Sequence, residues 1–296
     1  MGKLFKIALG LFLVGVGILA IFSLMSEDRI FAFANDEDYV YHELSYDADD
    51  FAKLSFNFEN RDFLFRKSDN DEIKITYYTT EKDPVEVTEV GTTLKLVNEI
   101  VWYNQVFIGW NFFTNDDYYD VYVYLPDSVD YEIYLIDSNG SVDITGVTNL
   151  TDVFVTTSNG RITTDSAYAD SMDLISSNGE IRVTGTVVAD SLTVATSNGR
   201  IYLTDVVAET IIGSTSNGKV VGTNVACESI TLNTSNGDIE IGLAGEKNDY
   251  DVIMSTSNGD MVYDGLETSQ EYIYTPGEFI IILNTSNGDI VITFGE

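Results

Sequence analysis

Cysteine and histidine are almost missing from this sequence. A single cysteine, Cys227, in 296 residues excludes an internal disulfide and a cysteine-rich metal site. The single histidine, His42, lies in an acidic stretch and is expected to be solvated. Its isolation removes a Ser-His-Asp triad and most other histidine-dependent catalysis. Positive charge is scarce as well. Lys and Arg number 15 against 48 Asp and Glu, a formal net charge of −33. Nucleic acid is therefore not expected as a partner, because affinity for it rests on neutralising phosphates with Lys and Arg. A flat seat on anionic lipid is equally disfavoured. The surplus acid reads as a solubilising surface, or as a means of recruiting cations or a basic partner.

What is present begins with an apolar amino terminus. Ile7 to Ser26 carries no charge over 20 positions. As a helix it would span about 30 Å, the thickness of a bilayer's hydrocarbon core. Lys3 and Lys6 precede it, and Glu27 and Asp28 follow it. The positive-inside rule then predicts a cytoplasmic stub at 1–6, a transmembrane helix at 7–26 and an extracytoplasmic remainder on a single-pass cell-membrane protein. Ala32-Phe33-Ala34 has the form of a signal-peptide cleavage site, but it lies well beyond the apolar run. An uncleaved anchor is the reading adopted.

The rest of the chain is dominated by a repeat. Ser-Asn-Gly occurs eight times, with Asn139, Asn159, Asn178, Asn198, Asn217, Asn236, Asn258 and Asn287 at its centre. The paired glycines are Gly140, Gly160, Gly179, Gly199, Gly218, Gly237, Gly259 and Gly288. Successive spacings are 20, 19, 20, 19, 19, 22 and 29 residues. On both sides of each tripeptide apolar residues alternate with period two, as in Leu192, Val194, Ile201 and Leu203. That pattern predicts two short half-buried strands per repeat, and no 3.6-residue helical period competes with it. Gly213, Thr164 and Gly222 break the apolar rule. A second corner is expected nine residues after the Ser, often marked by Gly146, Gly185 or Gly265.

A unit of 19 or 20 residues cannot bury its own inner face, so neighbouring units must stack. The predicted fold is all-β, a single-stranded β-solenoid (parallel β-helix) of 19–20-residue rungs, about 35–40 Å long for eight rungs. A meander of Asn-Gly hairpins is the competing arrangement. Fixed repeat length favours stacking, because identical side chains then form ladders of Ser, Asn and Thr, and Asn ladders add hydrogen bonds. The tripeptide is read as a tight corner needing φ > 0, which Gly accepts and Asn tolerates. These ladders are read as structural. A calcium ladder would need an acid after every Gly, yet Arg161, Arg200 and Lys219 stand there in three repeats. No metal and no cofactor are expected.

The charge-free anchor, the strand-rich lead-in, the phrase Val121–Pro126 and the rungs of the form I-x-L/V-x-T-S-N-G-x-I-x-I resemble the bacterial putative-adhesin family, a domain of unknown function. The similarity covers roughly residues 50–296. It implies a right-handed single-stranded β-solenoid on the cell envelope, and it brings no catalytic residues.

The expected organisation is an acidic juxtamembrane linker at 27–49 and one solenoid domain at 50–296. Within it, 50–134 forms irregular capping rungs and 135–296 the Ser-Asn-Gly rungs. Residues 100–113 are unusually aromatic, read as a plug over the end of the stack or as an interaction patch through Trp102, Tyr103, Trp110 and Phe112. Outward positions turn apolar late in the chain, at Ile253 and Ile282 among others. A cover from residues 264–278, or a partner at the uncapped carboxyl end, is expected there. The functional expectation is a non-enzymatic, adhesin-like surface scaffold meeting a protein or glycan. An envelope-stress sensor acting through a membrane partner is one alternative. A β-helix polysaccharide lyase or hydrolase using Asp238, Asp260 and Asp289 is the other.

Overall fold

The computed structural model describes residues 39–81, 83–98, 116–269, 271–273 and 277–295. The expected stub and transmembrane helix lie outside these residues. Among the described residues no helix is long and apolar enough to cross a membrane.

The lead-in contributes β1 (Val40–Asp47), β2 (Lys53–Asn57), β3 (Asp62–Lys67), β4 (Glu72–Thr79), β5 (Val85–Val90), β6 (Thr93–Asn98) and β7 (Asp120–Leu125). The repeats contribute paired strands. These are β8 (Tyr131–Ile136) and β9 (Val142–Thr145), β10 (Leu150–Thr157) and β11 (Ile162–Asp165), β12 (Tyr168–Ser176) and β13 (Ile181–Thr184). Then come β14 (Val187–Thr196) and β15 (Ile201–Thr204), β16 (Val207–Ser214) and β17 (Val220–Val225), β18 (Ser229–Asn233) and β19 (Ile239–Leu243). The carboxyl end holds β20 (Tyr250–Asn258), β21 (Met261–Tyr263), β22 (Leu266–Thr268), β23 (Tyr272–Ile273), β24 (Phe279–Asn287) and β25 (Ile290–Phe294).

Among the described residues, each repeat places its first strand in a 12-stranded sheet and its second in a 13-stranded sheet. Within each sheet the repeats pair in parallel and in register: Leu192 sits beside Met172 and Ile211, and Ile201 beside Ile181 and Val220. Parallel pairing excludes the hairpin meander. On the enclosed rungs the inward residues predicted from period two are buried between the sheets, Val194, Leu203 and Ile239 completely. The three breaks in that pattern are filled locally. A Cβ on Gly213 would meet Leu232 Cδ2 at 2.6 Å, and one on Gly222 would meet Ile241 Cδ1 at 2.5 Å. Larger neighbours have taken the missing volume, as close packing requires. Thr164 is buried but shares a hydrogen bond of 3.1 Å with Thr186.

Two expectations about the ends are corrected. The lead-in is not irregular: β2 with β3 and β6 with β7 form two further parallel rungs on the same sheets. The expected linker 27–49 is also too long, because β1 already belongs to the 13-stranded sheet, antiparallel to β4. His42, expected to be solvated, bonds Thr79 Oγ1 at 2.7 Å and stacks on Tyr77.

Rung order departs from chain order at both ends. The 12-stranded sheet runs β6-β2-β8 at one end and β18-β24-β20 at the other. The last rung of the sequence, β24 with β25, is therefore interposed between β18/β19 and β20/β21. The outermost rung is β20/β21, with Met261 and Tyr263 half-buried where β25 places Ile290 and Ile292 at full burial. Met261 and Tyr263 are the larger side chains of a rung that only the short β22 and β23 flank on its outer side, and the Tyr263 hydroxyl ends buried with no hydrogen-bond partner among the described residues. The described part of 264–278 does not cover the outward faces. It forms β22 and β23, which pair antiparallel with β21 and β20 and end the stack. The opposite end closes with β4 and β1 on one sheet and β5 on the other, all antiparallel. Such caps stop parallel end-to-end addition.

Candidate functional site

The Ser-Asn-Gly corner is the most repeated chemical feature, and its hydrogen bonds decide what it can do. The residue before each Ser is Thr in most rungs. Its hydroxyl donates to the Gly carbonyl of the neighbouring rung, at 3.1 Å for Thr196 to Gly179 and Thr215 to Gly199. The same oxygen accepts the Gly N–H of its own corner, at 3.1 Å from Gly199 and Gly218. Ser176 does the same between Gly160 and Gly179. In the first repeat Asp137 takes this place. It accepts the N–H groups of Asn139 and Gly140 on Oδ1 and that of Arg61 on Oδ2. Burial pushes its carboxyl above the usual range against the pull of those donors.

The asparagines form one continuous ladder. Each Nδ2 donates to the Oδ1 of the adjacent rung at 2.6–3.0 Å, from Asn258 through Asn287, Asn236, Asn217, Asn198, Asn178, Asn159 and Asn139 to Asn60. Asn60 was not legible, because its corner reads Glu59-Asn60-Arg61 and lacks the tripeptide.

The reason given for the glycines is corrected. None of the eight has positive φ; among the described residues the glycines that do are Gly91, Gly146, Gly185 and Gly265. A Cβ on Gly199 would instead lie 1.8 Å from the carbonyl oxygen of Gly179, and the other seven are blocked alike at 1.7–2.1 Å. Close approach of backbones, not left-handed φ, excludes a side chain here. The left-handed residue sits at the second corner, where Gly146, Ser166, Gly185, Asp205 and Asn224 follow one another with φ between 51° and 69°.

Arg61 was missed as a fixed point. Its side chain is 2 % exposed and pairs with Asp83. It also donates to Tyr118 O at 2.8 Å and lies over the Tyr119 ring. A buried guanidinium needs such partners, but they come from distant sequence. Asp238, Asp289 and Asp260 do stack, in that order. Asp289 N–H donates to Asp238 Oδ1 at 3.1 Å and Asp260 N–H to Asp289 Oδ1 at 2.9 Å. Among the described residues no group of His, Cys, Asp or Glu is arranged to hold a metal ion.

Cys227 is buried, and burial pushes its thiol up to about 12. At pH 8 the thiolate fraction is then on the order of 10⁻⁴, against roughly 0.1 for an ordinary thiol near 9. A maleimide added to folded protein at pH 8 is expected to leave Cys227 unmodified for hours and to label it within minutes in denaturant. Rapid native labelling would contradict the burial.

Ile253 and Ile282 are neighbours in register on the 12-stranded sheet, both half-buried, with Tyr272 of β23 beside Ile253. Ile280, two residues before Ile282 on the same strand, extends this apolar surface at 49 % exposure, while Ile212, 43 % exposed, is separated from Ile282 by Thr231. Trp102, Tyr103, Trp110 and Phe112 lie outside the described residues.

A family model described as Toastrack DUF4097 matches residues 51–293. No curated protein matches the chain. Solved structures are similar to it at low identity. A putative adhesin from Parabacteroides distasonis is 13 % identical with a TM-score of 0.48, covering 86 % of this chain and 98 % of its own. A putative adhesin from Bacteroides fragilis is 14 % identical with a TM-score of 0.45, covering 86 % and 97 %.

Proposed function

We propose, from the premise that this chain belongs to the Toastrack DUF4097 family, that it is a membrane-anchored, non-catalytic module of the cell envelope. Its rod offers flat faces to a protein or glycan partner. The observation that carries this reading is the fate of the repeated polar groups. The asparagine amides of every Ser-Asn-Gly rung, and the threonine hydroxyls of most of them, are spent on the next rung. A repeat used in this way builds length and stiffness rather than a reaction centre. The charge-free run at 7–26 supplies the anchor in this reading, and its flanking charges place the rod outside. The partner surface in this reading includes Ile253 and Ile282, half-buried on the outward sheet face and not covered by the described part of 264–278.

The test has two arms. Whole cells treated with a membrane-impermeant amine reagent are expected to label the rod lysines, and the chain is expected to stay with membranes after an alkaline carbonate wash. Release by the wash, or labelling only after lysis, overturns the anchored, outward placement. In the second arm Ile253→Lys and Ile282→Lys are expected to weaken binding of the rod to a purified envelope fraction at least about fivefold, with the melting temperature held. Unchanged binding removes this surface from the proposal.

A further inference from the structure

The scarce cations are not scattered. Between residues 96 and 246 the chain has four, Arg161, Arg182, Arg200 and Lys219. All four lie on one face of the 13-stranded sheet, on four consecutive rungs. Arg161, Arg200 and Lys219 occupy the position after the corner glycine, and backbone bonds stack that position in the order Arg161, Glu180, Arg200, Lys219, Asp238, Asp289, Asp260. Two residues further on, the same outward face carries Arg182, Tyr202, Val221, Glu240, Val291 and Val262 in register.

One edge of the rod is therefore a stripe with a cationic block followed at once by an acidic one. Within the cationic block Glu180 is held by Arg161 at 3.6 Å and Arg182 at 2.7 Å. Arg182 also lies over the Tyr202 ring at 4.4 Å. Lys219 reaches Glu240 at 2.5 Å across the boundary between the blocks. Arg200 is exposed and has no ion pair among the described residues. Beside the stripe, Tyr202, Val221, Val291 and Val262 are half-buried with apolar surface turned outward.

We propose that this face pairs with the same face of a second copy, the two rods antiparallel. The two-fold axis lies in the interface, along the strands, between the Lys219 and Asp238 rungs. That operation sets Lys219 opposite Asp238, Arg200 opposite Asp289 and Tyr202 opposite Val291 of the other copy. Glu180 comes opposite Asp260 with the guanidiniums of Arg161 and Arg182 beside it. Facing sheets pack about 10 Å apart, a gap that Arg and Lys side chains cross. An isologous two-fold contact needs a surface complementary to itself, and a plus-then-minus stripe is one. A uniform polyanion fits it less well. After four rungs, roughly 15–20 Å, it would run from the cations onto three carboxylates. The net charge of each copy opposes approach at long range, but at 0.15 M salt that repulsion is screened beyond about 8 Å, which leaves the local pairs in control.

The test uses the full-length chain in a non-ionic detergent at 0.15 M salt, with Val221→Cys near the axis as reporter and a short bis-maleimide as crosslinker. Crosslinked dimer is expected from this variant and not from Thr145→Cys, which lies far along the rod. Adding Arg200→Glu and Lys219→Glu is expected to cut the dimer about tenfold or more. Asp238→Asn with Asp289→Asn keeps the oxygen that accepts the next rung's N–H, so the fold is retained while the dimer is lost. Mixing the Glu pair with Asp238→Lys/Asp289→Lys is expected to restore crosslinking between the two variants. Absence of dimer from Val221→Cys, or dimer insensitive to the charge changes, overturns the proposal. So does a monomer that binds polygalacturonate through Arg200 and Lys219, which would give the face to an anionic polymer.

Discussion

Gly199→Ala lowers the melting temperature by about 6–12 °C, the expected consequence of roughly 3 kcal/mol of overpacking in a domain of this size. The added methyl would stand 1.8 Å from Gly179 O and 2.9 Å from Thr196 Oγ1. The carbonyl belongs to backbone and cannot swing aside, so the rungs must separate. Separation lengthens the bonds that Thr196 and Asn198 make across the same step. The comparison is Gly146→Asn. Gly146 has φ of 69° and nothing within 4 Å of where a Cβ would stand, and Asn224 already occupies the equivalent corner at φ 54°. That substitution should move the melting temperature by less than about 3 °C. Thermal unfolding followed by circular dichroism separates the two kinds of glycine. Equal effects would mean that conformation rather than inter-rung distance selects them.

Deleting residues 279–296 is expected to abolish soluble folded protein, although it removes only the last rung of the sequence. That rung is enclosed: Ile281 lies beside Ile230 on one side and Val252 on the other. Its loss exposes Ile230, Leu232, Ile239 and Ile241 and leaves β20/β21 without a parallel neighbour. Bare apolar strand edges of this kind aggregate. Deleting residues 246–276 instead removes the outer rung and its caps and leaves the enclosed rung in place. Asn236 and Asn287 are 51 residues apart, and a deletion of 31 brings them to 20, the repeat's own spacing. This variant is expected to keep a cooperative transition at a somewhat lower temperature, while its uncovered β24/β25 edge promotes end-to-end association. If the short truncation melts cooperatively and the longer internal deletion shows no transition, the interposed order is wrong.

The corner chemistry was partly legible. Recurrence of Asn at 19 or 20 residues announced a ladder, because only stacking of equal turns makes equal spacing worth keeping. The threonine beside it was legible as a column but not as a bridge, since its two bonds join backbone groups that no pattern identifies. The glycine rationale went astray for a related reason. Asn-Gly in an isolated turn signals left-handed φ, and nothing local tells a turn from a backbone pressed against its neighbour. Asn60 and Arg61 escaped because their corner shares the geometry of the repeat without its letters.

The sequence by itself determined the strands, their inward faces and the parallel stacking of regular turns. Those depend on period two and on a constant interval, and both are local or nearly so. Tertiary structure alone decided which rung lies next to which at the two ends, and which outward residues share a face. Every rung offers its neighbours almost the same pair of edges, so pairing energy barely discriminates among orders. The choice falls to small differences in what an enclosed or an open rung can bury, such as Ile292 against Tyr263. Those differences exist only once the stack is assembled. The same assembly gathers Arg161, Arg182, Arg200 and Lys219, 58 residues from first to last, onto one edge of the rod.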